Sequence, residues 1–120
     1  MAIIVYTDKV TRLMVLIRRK FTDDEIPTWT WAKDGFVHTA DSGQWEDVGI
    51  VSRSKTRYDD GVVFNVVSVS GHPLTQSQYA ALSGRFASML ISHFSHRFSA
   101  LEITAVPSAE YGDDTSVDDE

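Results

Sequence analysis

Between Thr75 and Arg97 the apolar residues Tyr79, Leu82, Phe86, Met89, Leu90 and Phe94, joined by His93, recur at spacings of three and four. That is the period that lines one face of an α-helix. Thr75-Gln76-Ser77-Gln78 stands directly before them. A Ser or Thr followed three residues later by Glu or Gln forms a capping box, in which each side chain satisfies a free backbone N–H of the other residue. The pattern predicts one long helix over about 75–97. A helix with a single apolar stripe must lie on another layer to bury it, and the rest of the chain reads as strands. The expected fold class is therefore α+β: an antiparallel sheet of about six to seven strands, with the helix packed on one face and a final strand, Leu101 to Val106, after it.

The strand signals run as follows. Ala2 to Tyr6 is rich in β-branched residues, and a turn at Asp8-Lys9 is expected to return the chain through Val10 to Ile17 as the second arm of a hairpin. The continuous apolar run Leu13 to Ile17 suits a strand covered on both faces. Thr22-Asp23-Asp24-Glu25 has the form of a capping box, but Pro27 follows too closely for more than one turn, which leaves a loop. Thr28-Trp29-Thr30-Trp31 alternates, so both indoles share a face. Asp34-Gly35 turns the chain into Phe36-Val37-His38-Thr39, and Asp41-Ser42-Gly43 turns it again. A loosely alternating strand then runs from Trp45 to Tyr58. Asp59-Asp60-Gly61 closes a hairpin onto Val62 to Val69. A three-residue loop with Gly61 left-handed opposes Tyr58 to Val62, Thr56 to Phe64 and Ser54 to Val66. The face carrying Val62, Phe64 and Val66 is the core side, because Arg53, Lys55 and Arg57 on the other face cannot be buried cheaply.

Length allows one domain, residues 1–109, followed by an acidic segment, residues 110–120, with too little apolar content to fold. The net charge of −6 lies in that segment: Glu110, Asp113, Asp114, Asp118, Asp119 and Glu120 have no basic counterpart there, and the body is balanced. There are no cysteines, so disulfides, thiolate metal sites and cysteine nucleophiles are excluded. No apolar run approaches the roughly 18 residues of a membrane span, and the apolar start is too short for a signal peptide. The expectation is a cytoplasmic protein without a membrane partner.

Several residue groups carry possible chemistry. His93 and His96 stand three apart on the expected helix and are candidate metal ligands, for which Glu102 or the acidic segment would have to supply a third and fourth donor. Near a helix C-terminus, histidines also serve the free carbonyls and the dipole. His38, Asp41 and Ser42 supply triad residue types, yet a triad is defined by geometry, and Ser42 stands on no nucleophile elbow. Asp59-Asp60 is what a turn requires. Trp29, Trp31, Trp45 and Tyr58 concentrate aromatic area in the middle third, as core or as interface anchors. Arg53, Lys55 and Arg57 alternate along one strand face with Asn65, Val63, Val67 and Val69 beside them, and Arg18-Arg19-Lys20 extends the positive region.

No nucleotide loop, metal cluster or activated nucleophile emerges, so neither a cofactor nor a catalytic residue is expected. The expected function is a non-enzymatic protein-interaction module, self-association included, binding through Arg53, Lys55, Arg57, Trp29, Trp31, Trp45 and Tyr58. Inhibitor or immunity-type proteins of phage and bacteria, and virion structural subunits, share this size and composition. The alternative is a nucleic-acid-binding protein using the basic strand for phosphates and the aromatics for bases, against which stands the neutral body.

Overall fold

A computed structural model describes residues 2–23, 25–32, 35–39, 48–55, 58–69 and 73–105. In chain order they form β1 (Ala2–Tyr6), α1 (Val10–Thr22), β2 (Trp29–Ala32), β3 (Gly35–His38), β4 (Gly49–Arg53), β5 (Gly61–Ser68), α2 (Gln76–Phe94) and β6 (Ala100–Ile103). The six strands make one sheet in the order β2-β3-β4-β5-β1-β6, antiparallel at every pairing. The fold is α+β, with α2 packed on the sheet and β6 following it.

Strand alternation sorts side chains to the two faces. Ile3 and Val5 of β1, Phe36 of β3, Val51 of β4 and Val62 and Phe64 of β5 point to one face, where both helices cover them. α2 contributes Phe86, Met89, Leu90 and Phe94; α1 contributes Leu13, Met14, Ile17 and Phe21. Phe86 is the centre, with ring centroids 5.3 Å from Trp29, 5.8 Å from Phe36 and 5.0 Å from Phe64. Val62, Phe64 and Val66 do face this core, but Arg53, expected on the opposite face, is paired with Phe64 and so shares its side, exposed at the end of β4. The capping box of α2 forms as expected: Gln78 N donates to Thr75 Oγ1 and Thr75 N donates to Gln78 Oε1, each at 3.1 Å.

The second arm of the expected first hairpin is instead a helix. Leu13, Met14, Ile17 and Phe21, buried in α1, stand at i, i+1, i+4 and i+8, one stripe of a 3.6-residue period. Within Leu13 to Ile17 the exposed Val15 and half-buried Leu16 complete a helical pattern that a short window shows as continuous apolarity. Tertiary burial settles such an ambiguous run. The helix carries Phe21 to 5.1 Å from Phe36 in β3.

The strand expected from Trp45 to Tyr58 is shorter: β4 ends at Arg53, and Trp45, Thr56 and Arg57 lie outside the described residues. The β4–β5 register also differs. Arg53 opposes Phe64, Ser52 opposes Asn65 and Val51 opposes Val66, three positions from the expected pairing. β5 is buried on both faces over its first residues, so alternation alone selects no register and the loop length decides it. On its other edge, Thr7 N donates to Asp60 O at 3.1 Å, continuing the β1–β5 ladder past Tyr6 and Gly61. Gly61 is not left-handed; it pairs with Tyr6, and a Cβ there would stand 1.9 Å from Val5 O. Glycine is required by close approach of two backbones. At Gly35 the requirement is both conformational, with φ at 155°, and steric, a Cβ falling 2.5 Å from Val51 O.

Trp29 and Trp31 share a face but part in burial, at 3% and 39% exposed. Trp29 lies under α2 against Phe86, whereas Trp31 is nearer the hairpin end, with the Arg18 guanidinium 4.4 Å over its ring. α2 ends at Phe94, so His93 is on its last turn and exposed, and His96 stands beyond it. β6 is Ala100–Ile103. Residues 106–120, with the whole acidic segment, lie outside the described residues.

Candidate functional site

Three connections meet where β1 gives way to α1, and Thr7 ties them together. Its N–H donates to Asp60 O in the β4–β5 connection at 3.1 Å. Its hydroxyl donates to Arg97 O, after α2, at 3.0 Å, and accepts from Lys9 N at 3.1 Å. Ser99 N adds a bond to Tyr6 O at 2.9 Å. These ties frame a recess of about 710 Å³ whose lining includes Asp8, Lys9, Arg12, Asp60, His96, Arg97 and Phe98. On the other flank of the first turn of α1, a second recess of about 420 Å³ is lined by Val10, Thr11, Arg53, Lys55, Tyr58 and Val63 among others.

The first turn of α1 between these recesses has Lys9 at the cap position without a side-chain cap bond, and no acidic residue. Tyr6 donates its phenol to Glu102 Oε1 and meets Tyr58 edge-on with centroids 6.1 Å apart. The bond to Glu102 raises the Tyr6 phenol well above the ordinary tyrosine range, with Tyr58 adding to the shift. Tyr6 is thus a protonated donor at neutral pH, unsuited to act as base or nucleophile.

Of the residues expected from sequence to bind a partner, Arg53, Lys55 and Tyr58 are brought together here. Trp29 is in the core and Trp31 is beside Arg18; Trp45 and Arg57 are not described. Arg53 is the last residue of β4 and Lys55 lies past it, so the two belong to a rim and not to a strand-face strip. Arg18, Arg19 and Lys20 do not extend it, because they occupy the far turns of α1, roughly 12–15 Å along the axis from its start. Lys9, Arg12 and Arg97 were not singled out by sequence. Arg97 comes from a chain segment far from Lys9 and Arg12, and the Thr7 ties reveal their proximity.

Among the described residues no group of three or more His, Cys, Asp or Glu side chains, His93 and His96 included, could hold a metal ion. Asp41 and Ser42 lie outside them, and His38 is buried with both ring nitrogens engaged, Nδ1 2.9 Å from Thr28 O and Nε2 2.9 Å from an Arg85 nitrogen. No helix among the described residues is long and apolar enough to cross a membrane. No family model, curated protein or solved structure matches the chain.

Proposed function

We propose that the protein is a non-enzymatic protein-interaction module that docks a partner on the end of the sheet where α1 begins. The observation that carries this reading is the convergence of five cations, Lys9, Arg12, Arg53, Lys55 and Arg97, from three stretches of chain around two adjoining recesses. Asp8 and Asp60 stand among them, which gives a patterned surface. Patterned charge rewards a folded partner of complementary pattern, steering its approach and fixing its orientation. Tyr58 and Phe98 supply aromatic area of the kind that carries binding energy at interfaces. The Thr7 ties hold the rim in place before a partner arrives, which lowers the ordering cost of binding. The nucleic-acid alternative calls for an unbroken positive track along phosphates, and Asp8 and Asp60 interrupt it.

The test is a pair of double charge reversals, Lys9→Glu with Arg12→Glu and Arg53→Glu with Lys55→Glu, in the full chain. A protein retained from the native host by the wild type and then purified is expected to lose at least about tenfold in affinity for each variant, with melting temperatures unchanged, since exposed charges contribute little to stability. Affinity unchanged from the wild type in both variants would sink the reading. Binding to single-stranded or duplex nucleic acid with a salt dependence worth several phosphates would favour the alternative.

A further inference from the structure

The sheet ends in β6 on one side and β2 on the other, and the two edges are guarded differently. An edge strand presents backbone groups ready to pair with another chain, and a charge or a proline on the strand discourages it. β6 carries Glu102. β2, Trp29–Ala32, carries neither a charge nor a proline.

The register fixes which groups of β2 face outward. Thr39 N donates to Thr28 O at 2.8 Å, so these two residues form a hydrogen-bonded pair. Such pairs alternate along an antiparallel ladder. Thr30 opposite Val37 and Ala32 opposite Gly35 are therefore bonded to β3, while Trp29 and Trp31 turn their backbone groups away from it. Trp29 N is taken by Ile26 O at 3.3 Å. Trp29 C=O and both backbone groups of Trp31 have no partner among the described residues. The two groups of Trp31 are what an added strand exchanges in one hydrogen-bonded pair.

The flank of α1 adjoins this edge. The Arg18 guanidinium lies 4.4 Å from the Trp31 ring centroid, and its side chain has no carboxylate partner. Val15, three residues earlier and so on the same flank, is 42% exposed. The indole packs inward on Phe36, 5.0 Å between centroids, which holds it in place before anything binds. Tryptophan and arginine are the side chains that most often carry interface energy. A further strand would lie about 4.7–4.9 Å from β2. Its residue opposite Trp31 would meet the indole, and the residue two positions on, about 7–8 Å away on the diagonal, is within reach of Arg18.

Charge decides between two occupants of such an edge. A second copy pairing β2 with β2 about a two-fold axis would make the same patch meet itself, bringing one Arg18 towards the other with no acid on either strand. Like charges set against each other reject a partner, and opposite charges select one.

We propose that the open edge of β2 takes an extended segment of a protein partner as a seventh strand, with an apolar residue opposite Trp31 and an acidic residue two positions on, facing Arg18. This surface shares no residue with the recesses at the start of α1, so it is a second docking surface, separate from the cationic rim. The probe is the peptide acetyl-Thr-Val-Thr-Glu-Thr-amide, titrated into full-length ¹⁵N-labelled protein. Saturable binding in the millimolar range is expected, since so short a strand offers about three backbone bonds of modest net worth. The amide of Trp31 is expected to shift and its hydrogen exchange to slow several-fold near saturation, while the amides of Thr30 and Ala32, already bonded to β3, keep their rates. Arg18→Gln, at an exposed helix position, is expected to weaken binding at least about threefold with the melting temperature unchanged. A peptide with Lys in place of Glu is expected to show a similar loss, and one with Pro in place of Val to lose binding because it lacks the N–H. Charge reversal at Lys9 and Arg12 is expected to leave the affinity as it was, whatever it does at the rim. Absence of saturable shifts up to about 10 mM peptide overturns the proposal, as does an indole that shifts while the Trp31 amide exchanges at its free rate. Equal affinity for the Glu and Lys peptides overturns it too. Light scattering that gives a dimer whose formation slows exchange at Trp31 would make a second copy the occupant, and a Trp31 amide that moves when the chain is ended at Ser108 would make it this chain's own acidic segment; either result overturns the assignment to a partner.

Discussion

α1 and α2 lie on the same face of one sheet and feed the same core, yet they begin in opposite ways. α2 opens on a capping box with both of its reciprocal bonds formed. α1 opens on a lysine, with no side-chain cap and no acid in its first turn. A 13-residue helix without a cap is marginal on its own in water. α1 is therefore a helix because Leu13, Met14, Ile17 and Phe21 have a sheet to lie on, whereas the start of α2 is specified by four adjacent residues. The difference has a functional side. The uncapped turn of α1 is where the cationic rim gathers, so that terminus is given over to the surface instead of to local stability.

The largest expected effects test whether both helices depend on the shared core. Phe86→Ala is expected to cost about 3–5 kcal/mol, measured by chemical denaturation, since it removes the ring that Trp29, Phe36 and Phe64 surround. That is much of the margin of a small domain. Ile17→Ala is expected to cost about 2–5 kcal/mol, and hydrogen exchange should show α1 losing protection before α2. A cost under about 0.5 kcal/mol for Ile17→Ala would mean that α1 is held by its own sequence, and the contrast between the helices would collapse.

Smaller effects bear on the helix starts themselves. Thr75→Ala removes an oxygen that accepts Gln78 N and is expected to cost about 1 kcal/mol. Lys9→Asp does the reverse at α1: it supplies a cap oxygen and a negative charge at the positive end of the dipole, worth up to about 1 kcal/mol of added stability. The same change removes a cation from the proposed docking rim, so tighter folding and weaker partner binding are expected together. A Lys9→Asp variant that lost stability would show that Lys9 holds the turn as well as lining the recess.

The same contrast explains what was legible in the sequence. The box and stripe of α2, the hairpin of Trp29 to His38 and the core side of Val62, Phe64 and Val66 could be read because each is set by residues close in the chain. α1 could not, since Leu13 to Ile17 fits a strand window as well as a helix, and Lys9 offers no start signal. The β4–β5 register could not, since β5 is buried on both faces over its first residues and its alternation fits more than one loop length. Gly61 reads as a turn glycine, and only the approach of Val5 O shows its other role. Trp29 and Trp31 share a face but not a neighbourhood, and alternation reports only the face. The candidate site was half legible: Arg53, Lys55 and Tyr58 were singled out, while Lys9, Arg12 and Arg97 join them only through contacts between distant segments.

The smallest expected effect concerns the acidic segment, residues 110–120, which carries six acids and no base. β6 leaves the sheet beside the Ala2 end of β1, where Thr104 N donates to Ala2 O at 2.9 Å and Gln76 donates to Ala105 O at 3.2 Å. The cationic rim is at the other end of β1, five residues away, roughly 16 Å at about 3.3 Å per residue. The first acid of the segment is five residues past Ala105, and five extended residues reach at most about 17–18 Å. The span is just sufficient for Glu110 and comfortable for the acids after it. Each exposed contact is worth under about 1 kcal/mol and is screened by salt, so the segment should compete with weak anions for the rim and yield to a true partner. Backbone amides of Lys9, Arg12, Arg53 and Lys55, compared between the full chain and a chain ending at Ser108, are expected to differ at low salt and to converge at high salt. The two chains are expected to melt within a few degrees of each other, because residues so poor in apolar surface add little to a core. Identical amides at low salt would mean that the segment leaves the rim alone, and a large fall in melting temperature would mean that it docks as part of the fold.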